Sequence, residues 1–425
     1  MPDLSHSSPD GAPRRIRVAH LITDLGLGGA EMQLHKLVLA SSGPEFEHLV
    51  ISMTEISPLG ESLRAAGVEV LSLGMTRGTP TPAGLIRLWR YLASRKPDVL
   101  QCWLYHSCLL GLLAGRLARV SKIVWCLRSA NDTMSGYNFQ TRAVVRLCGL
   151  LSSLPDAIIP NSEAGRALHA RWGYSSKKMQ VIPNGIELDL FRLDPAARLS
   201  VRKELSLPDE ALLVGMVARF HPVKDHATFF RAAELVHAQL SNARFVLVGS
   251  GITRENAELC RMVDECGLSD AVHLLGPRTD VPRLTAALDV ACLSSWSESS
   301  PFVLCEAMCC GVPCVASDVG DSRLLIGDTG EIVPPRNPQA LADALLWLLQ
   351  RPSGQLNTLG QMARKRASMF SLDLAVGNYK TLYAKLTEPD WSPGVSASLV
   401  AQGLPVQIDS RTELTTESAT EEVRP

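Results

Sequence analysis

Short apolar runs alternate along this chain with longer stretches whose apolar residues recur three or four positions apart. The first pattern reads as buried strand and the second as amphipathic helix. Strands are predicted over 15–23, 48–53, 68–73, 99–103, 123–128, 157–160 and 179–182, with helices between them, for example over 30–40, 83–94 and 107–118. The alternation then restarts, with strands over 211–218, 244–249, 272–275, 290–293 and 312–316 and a helix over 227–239. Because these runs are mostly apolar without strict alternation, they suit parallel strands covered on both faces. Regular strand–helix alternation in two rounds predicts an α/β protein with two Rossmann-like parallel-sheet domains.

The breaks between rounds set the expected domains. Residues 1–14 are Ser-, Pro- and Asp-rich and read as disordered. An N-terminal domain is expected over 15–190, and a polar linker punctuated by Pro195 and Pro208 over 191–210. A C-terminal domain follows over 211–370, then a helix over 371–387 that packs back on the first domain. The acidic segment 388–425 loses periodicity and reads as a disordered tail. A chain of 425 residues exceeds one comfortable core, which fits two domains.

Composition excludes more than it selects. The net charge of −1 gives no global reason to bind nucleic acid. Residues 1–190 nevertheless carry 20 Lys and Arg against 15 Asp and Glu, a basic bias compatible with an anionic membrane surface or a lipid-phosphate acceptor and equally with a solvated mixed-charge surface. No signal-peptide pattern and no apolar run of membrane-spanning length is present, so the expectation is a cytoplasmic protein with at most peripheral membrane contact. The eleven cysteines form no CxxC pair, and Cys305, Cys309, Cys310 and Cys314 read as small buried hydrophobes.

The candidate chemistry lies at predicted strand ends. Glu298 follows the 290–293 strand on a loop, and Glu306 falls about two turns into the next helix. Ligands bind at that edge of open α/β sheets, and helix starts attract phosphate. Carboxylates on either side of such an anion site suit hydroxyls flanking a diphosphate, although two Glu near a helix start can also simply favour its dipole. Arg219 follows the 211–218 strand directly and Lys224 precedes a helix, which places two cations where a diphosphate would lie. An ordinary surface charge is the other reading of each. Gly26, Gly28 and Gly29 form a glycine-rich strand–helix junction. Glu31 stands where a dinucleotide fingerprint needs its third glycine, so a nicotinamide cofactor is not expected. No Asp-x-Asp occurs, and fixed cations with a helix start could stabilise a leaving diphosphate without a divalent metal.

Together these residues give a specific likeness. The glycine loop 26–31, the run Pro183, Asn184, Gly185 and Ile186, Arg219 with Lys224, Glu298 eight positions before Glu306, and the continuation 307–318 resemble retaining glycosyltransferases of family 4, which share the two-domain GT-B architecture. The likeness covers residues 15–386. It implies transfer of a sugar, hexosyl or N-acetylhexosaminyl, from a nucleotide-diphosphate donor to a hydroxyl acceptor in bacterial surface polysaccharide or lipid-linked glycan assembly. It implies that Arg219 and Lys224 contact the diphosphate, Glu298 the sugar hydroxyls and Glu306 the ribose. Phe302, Val303 and Leu304 would lie by the phosphates, and Gly28 and Gly29 would face the donor. His106 would be catalytic, and Arg128, Ser129 and Asn131 would line the acceptor side. Two departures stand out. Ser299 and Ser300 precede Pro301 where the family often has Gly-Phe or Ser-Phe, and Gly320, Asp321, Ser322, Arg323 and Leu324 replace a Gly-Gly-x-x-Glu run. The alternatives are a non-catalytic nucleotide-sugar-binding protein and a nucleotide-sugar epimerase.

Overall fold

The structure is a computed structural model, and it describes residues 14–76, 81–128, 137–208 and 210–388. Two six-stranded sheets organise it. The first contains β1 (Ile16–Ile22), β2 (Phe46–Ser52), β3 (Glu69–Ser72), β4 (Val99–Trp103), β5 (Lys122–Leu127) and β6 (Ala157–Pro160) in the order β3-β2-β1-β4-β5-β6. The second contains β7 (Leu212–Val217), β8 (Ala243–Val248), β9 (Val272–Leu274), β10 (Val290–Leu293), β11 (Cys314–Ser317) and β12 (Glu331–Val333) in the order β12-β11-β10-β7-β8-β9. Neighbouring strands pair in parallel throughout both sheets. Both orders are the doubly wound one, in which strand order reverses beside the first strand. The crevice at each reversal, β1/β4 and β7/β10, opens at the carboxyl ends of the strands.

Local chemistry explains the elements. Helix Pro82–Arg95 starts where Thr81 Oγ1 accepts from the Gly84 amide at 3.2 Å, with Pro82 supplying a preset φ. It buries Gly84, Leu88 and Leu92, spaced four apart, and stops where Lys96 turns left-handed at φ 47°. Leu88 and Leu92 join one side of the first core with Ala19, Leu21, Cys102 and Trp125. Val18, Ile22, Trp103 and Val124 face the other side. Trp103 and Trp125 are both fully buried, and truncating such a residue typically costs about 3–5 kcal/mol.

The end of the described chain completes that second side. Helix Leu372–Thr387 packs on helix Gly29–Ser41 and on β1 and β4, with Tyr379, Tyr383 and Leu386 in the same core. The buried Tyr383 hydroxyl donates to Gln101 Oε1 on β4. The segment expected as a linker, with a short helix over 198–205, carries helix Pro195–Glu204, which packs on helix Val281–Ala286 of the second lobe. Buried Arg202 there pairs with Asp289 at 2.9 Å.

Three expectations change. Residues 179–182 form no strand. Met179 makes one isolated bridge with Ile158, and Pro183, which has no amide to donate, follows directly. Strand β12 was not anticipated, because three residues ahead of Pro334 and Pro335 are too short to show a period. Helix Phe302–Cys309 begins at Phe302, so Glu306 lies about one turn in rather than two. Apart from Arg14 and Glu388, the two expected disordered ends lie outside the described residues.

Candidate functional site

The two crevices face one cleft of about 840 Å³. From the first lobe it is lined by the start of helix Gly29–Ser41, Leu104, Arg128, Asn161 and the loop Asn184–Glu187. From the second lobe it is lined by Arg219, His221, Lys224, residues 296–303 and Glu306.

The second-lobe wall is built from two strand ends tied together. Beyond β7 the chain makes a short 3-10 turn, Pro222–Lys224, and then helix His226–Gln239. Asp225 stands between them at φ 51°, a region aspartate tolerates, and its carboxylate caps the helix by accepting from the Thr228 amide at 3.2 Å. Ser294, just past β10, donates to the carbonyls of Lys224 at 2.9 Å and Asp225 at 3.0 Å. The Trp296 amide donates to Val223 O at 3.0 Å. Lys224 is thereby held against the loop after β10, where its ammonium donates to Glu298 Oε1. Ser295 Oγ donates to the same carboxylate oxygen at 2.7 Å. Arg219 is exposed and lines the cleft, with no side-chain partner among the described residues. The His221 imidazole between these cations is held below its ordinary value, by burial first and then by Arg219 and Lys224.

Helix Phe302–Cys309 opens onto the cleft at Phe302 and Val303. Pro301 precedes it, and no side chain caps it. The amides of Phe302 and Val303 have no partner among the described residues and are left for an anion. One turn later the Glu306 carboxyl also faces the cleft, pushed up to about 7. Burial is the main cause; Lys36 opposes it and Glu187 adds to it. Lys36, from the opposite lobe, pairs with Glu187 at 2.5 Å.

The lobes also touch directly beside the cleft. The Asp321 carboxylate accepts from the amides of Glu163 at 2.9 Å and Ala164 at 2.8 Å, at the start of helix Glu163–Arg171 in the first lobe. Ser299 Oγ bonds Ser162 Oγ at 2.8 Å and donates to Asn161 Oδ1 at 3.0 Å. Gly320, at φ 56°, allows this approach, since a Cβ there would come within 2.5 Å of the carbonyl oxygens of Glu298 and Ser299. Burial pushes the Asp321 carboxyl up to about 6, against the pull of the two amides. Both departures from the family pattern, Ser299 and Asp321, therefore fall on this contact.

The expected site residues divide as follows. Arg219, Lys224, Glu298, Phe302, Val303, Glu306, Gly29 and Arg128 line the one cleft. Gly28 sits just outside that lining at the helix start, under the folded-back Glu31 side chain, which a Cβ on Gly28 would strike at 2.1 Å. Leu304 is buried, and its amide bonds Pro301 O at 3.1 Å. His106 is part-buried on the first turn behind Leu104 and is not in the lining; burial lowers its imidazole. Ser129 and Asn131 lie outside the described residues. Arg128 is fixed by Asn184 and the Tyr379 hydroxyl and lies 4.7 Å over the Trp103 ring.

Sequence reasoning passed over Gln33, whose amide makes a reciprocal pair with the backbone of Gly185 at 3.0 and 3.1 Å. It also passed over Asn161 and Ser162. The helix-start pattern of Ser162 before Glu163 was the available signal there.

Two facing doubly wound domains with cations, an open helix start and flanking carboxylates at the crevice define a GT-B protein. The family model Glycosyltransferase Family 4 matches residues 27–190, and Glycosyl transferases group 1 matches residues 211–351. The chain belongs to the group 1, family 4 glycosyltransferases. D-inositol 3-phosphate glycosyltransferase of Mycobacterium tuberculosis (strain ATCC 25618 / H37Rv) is 31% identical over 265 residues, 58% of this chain and 53% of the relative. The chain thus spans about half the length of the curated relatives it matches. Among solved structures, the Anabaena protein HepE in complex with UDP superposes with a TM-score of 0.76 at 22% identity, covering 87% of this chain and all of that one. Sucrose-phosphate synthase from Thermosynechococcus elongatus gives 0.73 at 23% identity, covering 88% and 99%. These two likenesses concern the fold.

Proposed function

We propose that the protein transfers a hexosyl or N-acetylhexosaminyl group from a nucleotide-diphosphate sugar to an acceptor hydroxyl with retention of configuration. Its setting would be bacterial surface polysaccharide or lipid-linked glycan assembly, in the cytoplasm with peripheral contact at the membrane. The observation that carries the reading is the joint presence, on one cleft wall, of Arg219, Lys224, an uncapped helix start, Glu298 and Glu306.

The diphosphate would lie against Arg219, Lys224 and the amides of Phe302 and Val303. These groups are preorganised to receive charge as the bond from the sugar's anomeric carbon to the diphosphate breaks, without a divalent metal. Glu298 would turn from Lys224 towards sugar hydroxyls, and Glu306 would accept from the ribose. The acceptor oxygen would bond the anomeric carbon on the face the diphosphate leaves, and its proton would pass to the departing phosphate. Closure of the lobes would keep water from that carbon. Arg128 would meet an acidic group on the acceptor, and His106 would act from behind Leu104.

A thermal-shift screen with UDP-, GDP- and ADP-sugars tests the donor site, since a ligand stabilises by mass action. Lys224→Ala and Glu298→Ala should each lower transfer about 100- to 1000-fold, the usual loss for one preorganised charge-stabilising group. Near-normal turnover by both folded variants would remove the assignment.

A further inference from the structure

Helices Pro82–Arg95, Tyr105–Leu117 and Phe139–Leu151 pack side by side on the face of the first sheet away from helix Gly29–Ser41. None of the three contains an Asp or Glu, and together they carry six arginines. A net charge of −1 for the whole chain makes this a segregated positive surface rather than a general bias. Arg90 and Arg146 are exposed and have no carboxylate partner among the described residues.

Large apolar side chains stand out between these arginines. Ile86 and Trp89 are exposed on the first helix, Leu113 and Leu117 on the second, and Leu147 and Leu150 on the third. Leu117 is 66% and Leu150 81% exposed, although each helix also buries a separate apolar stripe against the sheet. Phe139, at the start of the third helix, is 83% exposed. A solvated helix face would carry mixed charges here. Six large apolar side chains exposed on three helices packed side by side instead mark a surface that meets something.

We propose that this three-helix face seats the protein on a bilayer rich in anionic phospholipid. Charge complementarity selects that occupant, because the three helices carry arginine and no carboxylate, and Glu69 neutralises only Arg95. Guanidinium groups can reach headgroup phosphates while their stems and the neighbouring leucine and tryptophan tips enter the acyl boundary. The middle helix begins next to Leu104, which lines the cleft, so the seated face extends from the cleft rim. This locates the peripheral contact of the proposed function and rests on that reading only for why a lipid-linked acceptor would be met there.

Co-sedimentation of the full chain with vesicles tests it. The probes are phosphatidylcholine alone and phosphatidylcholine with about 30 mol % phosphatidylglycerol. Binding should need the anionic lipid and weaken with salt. Arg90→Glu with Arg146→Glu should lower the partition coefficient at least about tenfold, since each cation near such a surface is worth about fivefold. Leu117→Gln with Leu150→Gln should lower it as well. All four positions are exposed, so unfolding temperature and the nucleotide-sugar thermal shift should stay at the parent's values in both variants. Vesicle binding that persists where no nucleotide-sugar shift occurs would sink the transferase reading and leave the docking face standing. No binding to either vesicle, or binding equal in parent and variants, overturns the proposal. Self-association abolished by Leu117→Gln with Leu150→Gln, without lipid binding, would assign the face to a second copy and overturn it too.

Discussion

Replacing Glu306 by glutamine should make the unliganded protein more stable at alkaline pH and leave it unchanged in mild acid. The carboxyl is held at about 7 against an ordinary 4.5, chiefly because it is buried. Between those values the folded chain binds more protons than the unfolded chain, so stability falls as pH rises. The full gap corresponds to about 3 kcal/mol. Contact with cleft water screens part of it, which leaves about 1–2 kcal/mol. Glutamine avoids the cost and loses nothing, since the Glu306 carboxyl makes no hydrogen bond among the described residues.

The assay is thermal unfolding of both proteins, without nucleotide, from pH 5 to pH 8. Glu306→Gln should unfold about 3–6 °C higher at pH 8, and the difference should close towards pH 5. Asp321, held at about 6, adds a fall in the same direction between 3.8 and 6. His48, His169 and His226, held at about 4 by burial, add an opposing rise up to 6.5. These terms are common to both proteins and cancel in the difference. A glutamine variant no more stable than the parent at pH 8, or one whose advantage ignores pH, refutes the reasoning.

Three further outcomes are expected. Arg219→Ala removes an exposed cation, so stability should move by less than about 0.5 kcal/mol. Calorimetric affinity for a nucleoside diphosphate should nevertheless drop about 10- to 100-fold, the worth of a hydrogen bond to a charged group, and unchanged affinity would separate Arg219 from the diphosphate. Asp321→Ala removes both carboxylate–amide bonds between the lobes, so small-angle scattering should show a larger radius of gyration in the free protein; identical profiles would deny the contact a role in closure. Tyr383→Phe strands Gln101 Oε1 in the core and should cost about 1–2 kcal/mol in chemical unfolding, whereas a neutral result would mean that Gln101 finds another donor.

The doubly wound architecture was legible because most strands centre on a buried apolar run, with β1 and β2 admitting Arg17, His20, Glu47 and His48, and are followed by a glycine, proline or polar break. The donor wall was legible for a related reason. Arg219, Lys224 and Glu298 follow strand ends within seven residues, and Glu306 lies in the first turns of the helix after β10, so sequence position alone sends them to one edge. What crosses between lobes was not legible. Asp321 meets Glu163 and Ala164 across 158 and 157 positions, and no local period carries that information. The Ser299 and Asp321 departures were visible as oddities, but their shared contact appears only once both sheets are placed. Strand β12 and the missing strand at 179–182 mark the other limit, where three or four residues beside proline are too few to decide between pairing and plain extension.

The placement of helix Leu372–Thr387 constrains how the molecule is made. Tyr379, Tyr383 and Leu386 belong to the interior of the lobe translated first, yet they leave the ribosome after the whole second lobe. Until then Trp103 and Gln101 lack their cover, and the earlier lobe waits with an open apolar flank while its neighbour is synthesised. A fragment ending near residue 190 would keep that apolar flank uncovered, so it should be less stable than the same lobe within the full chain.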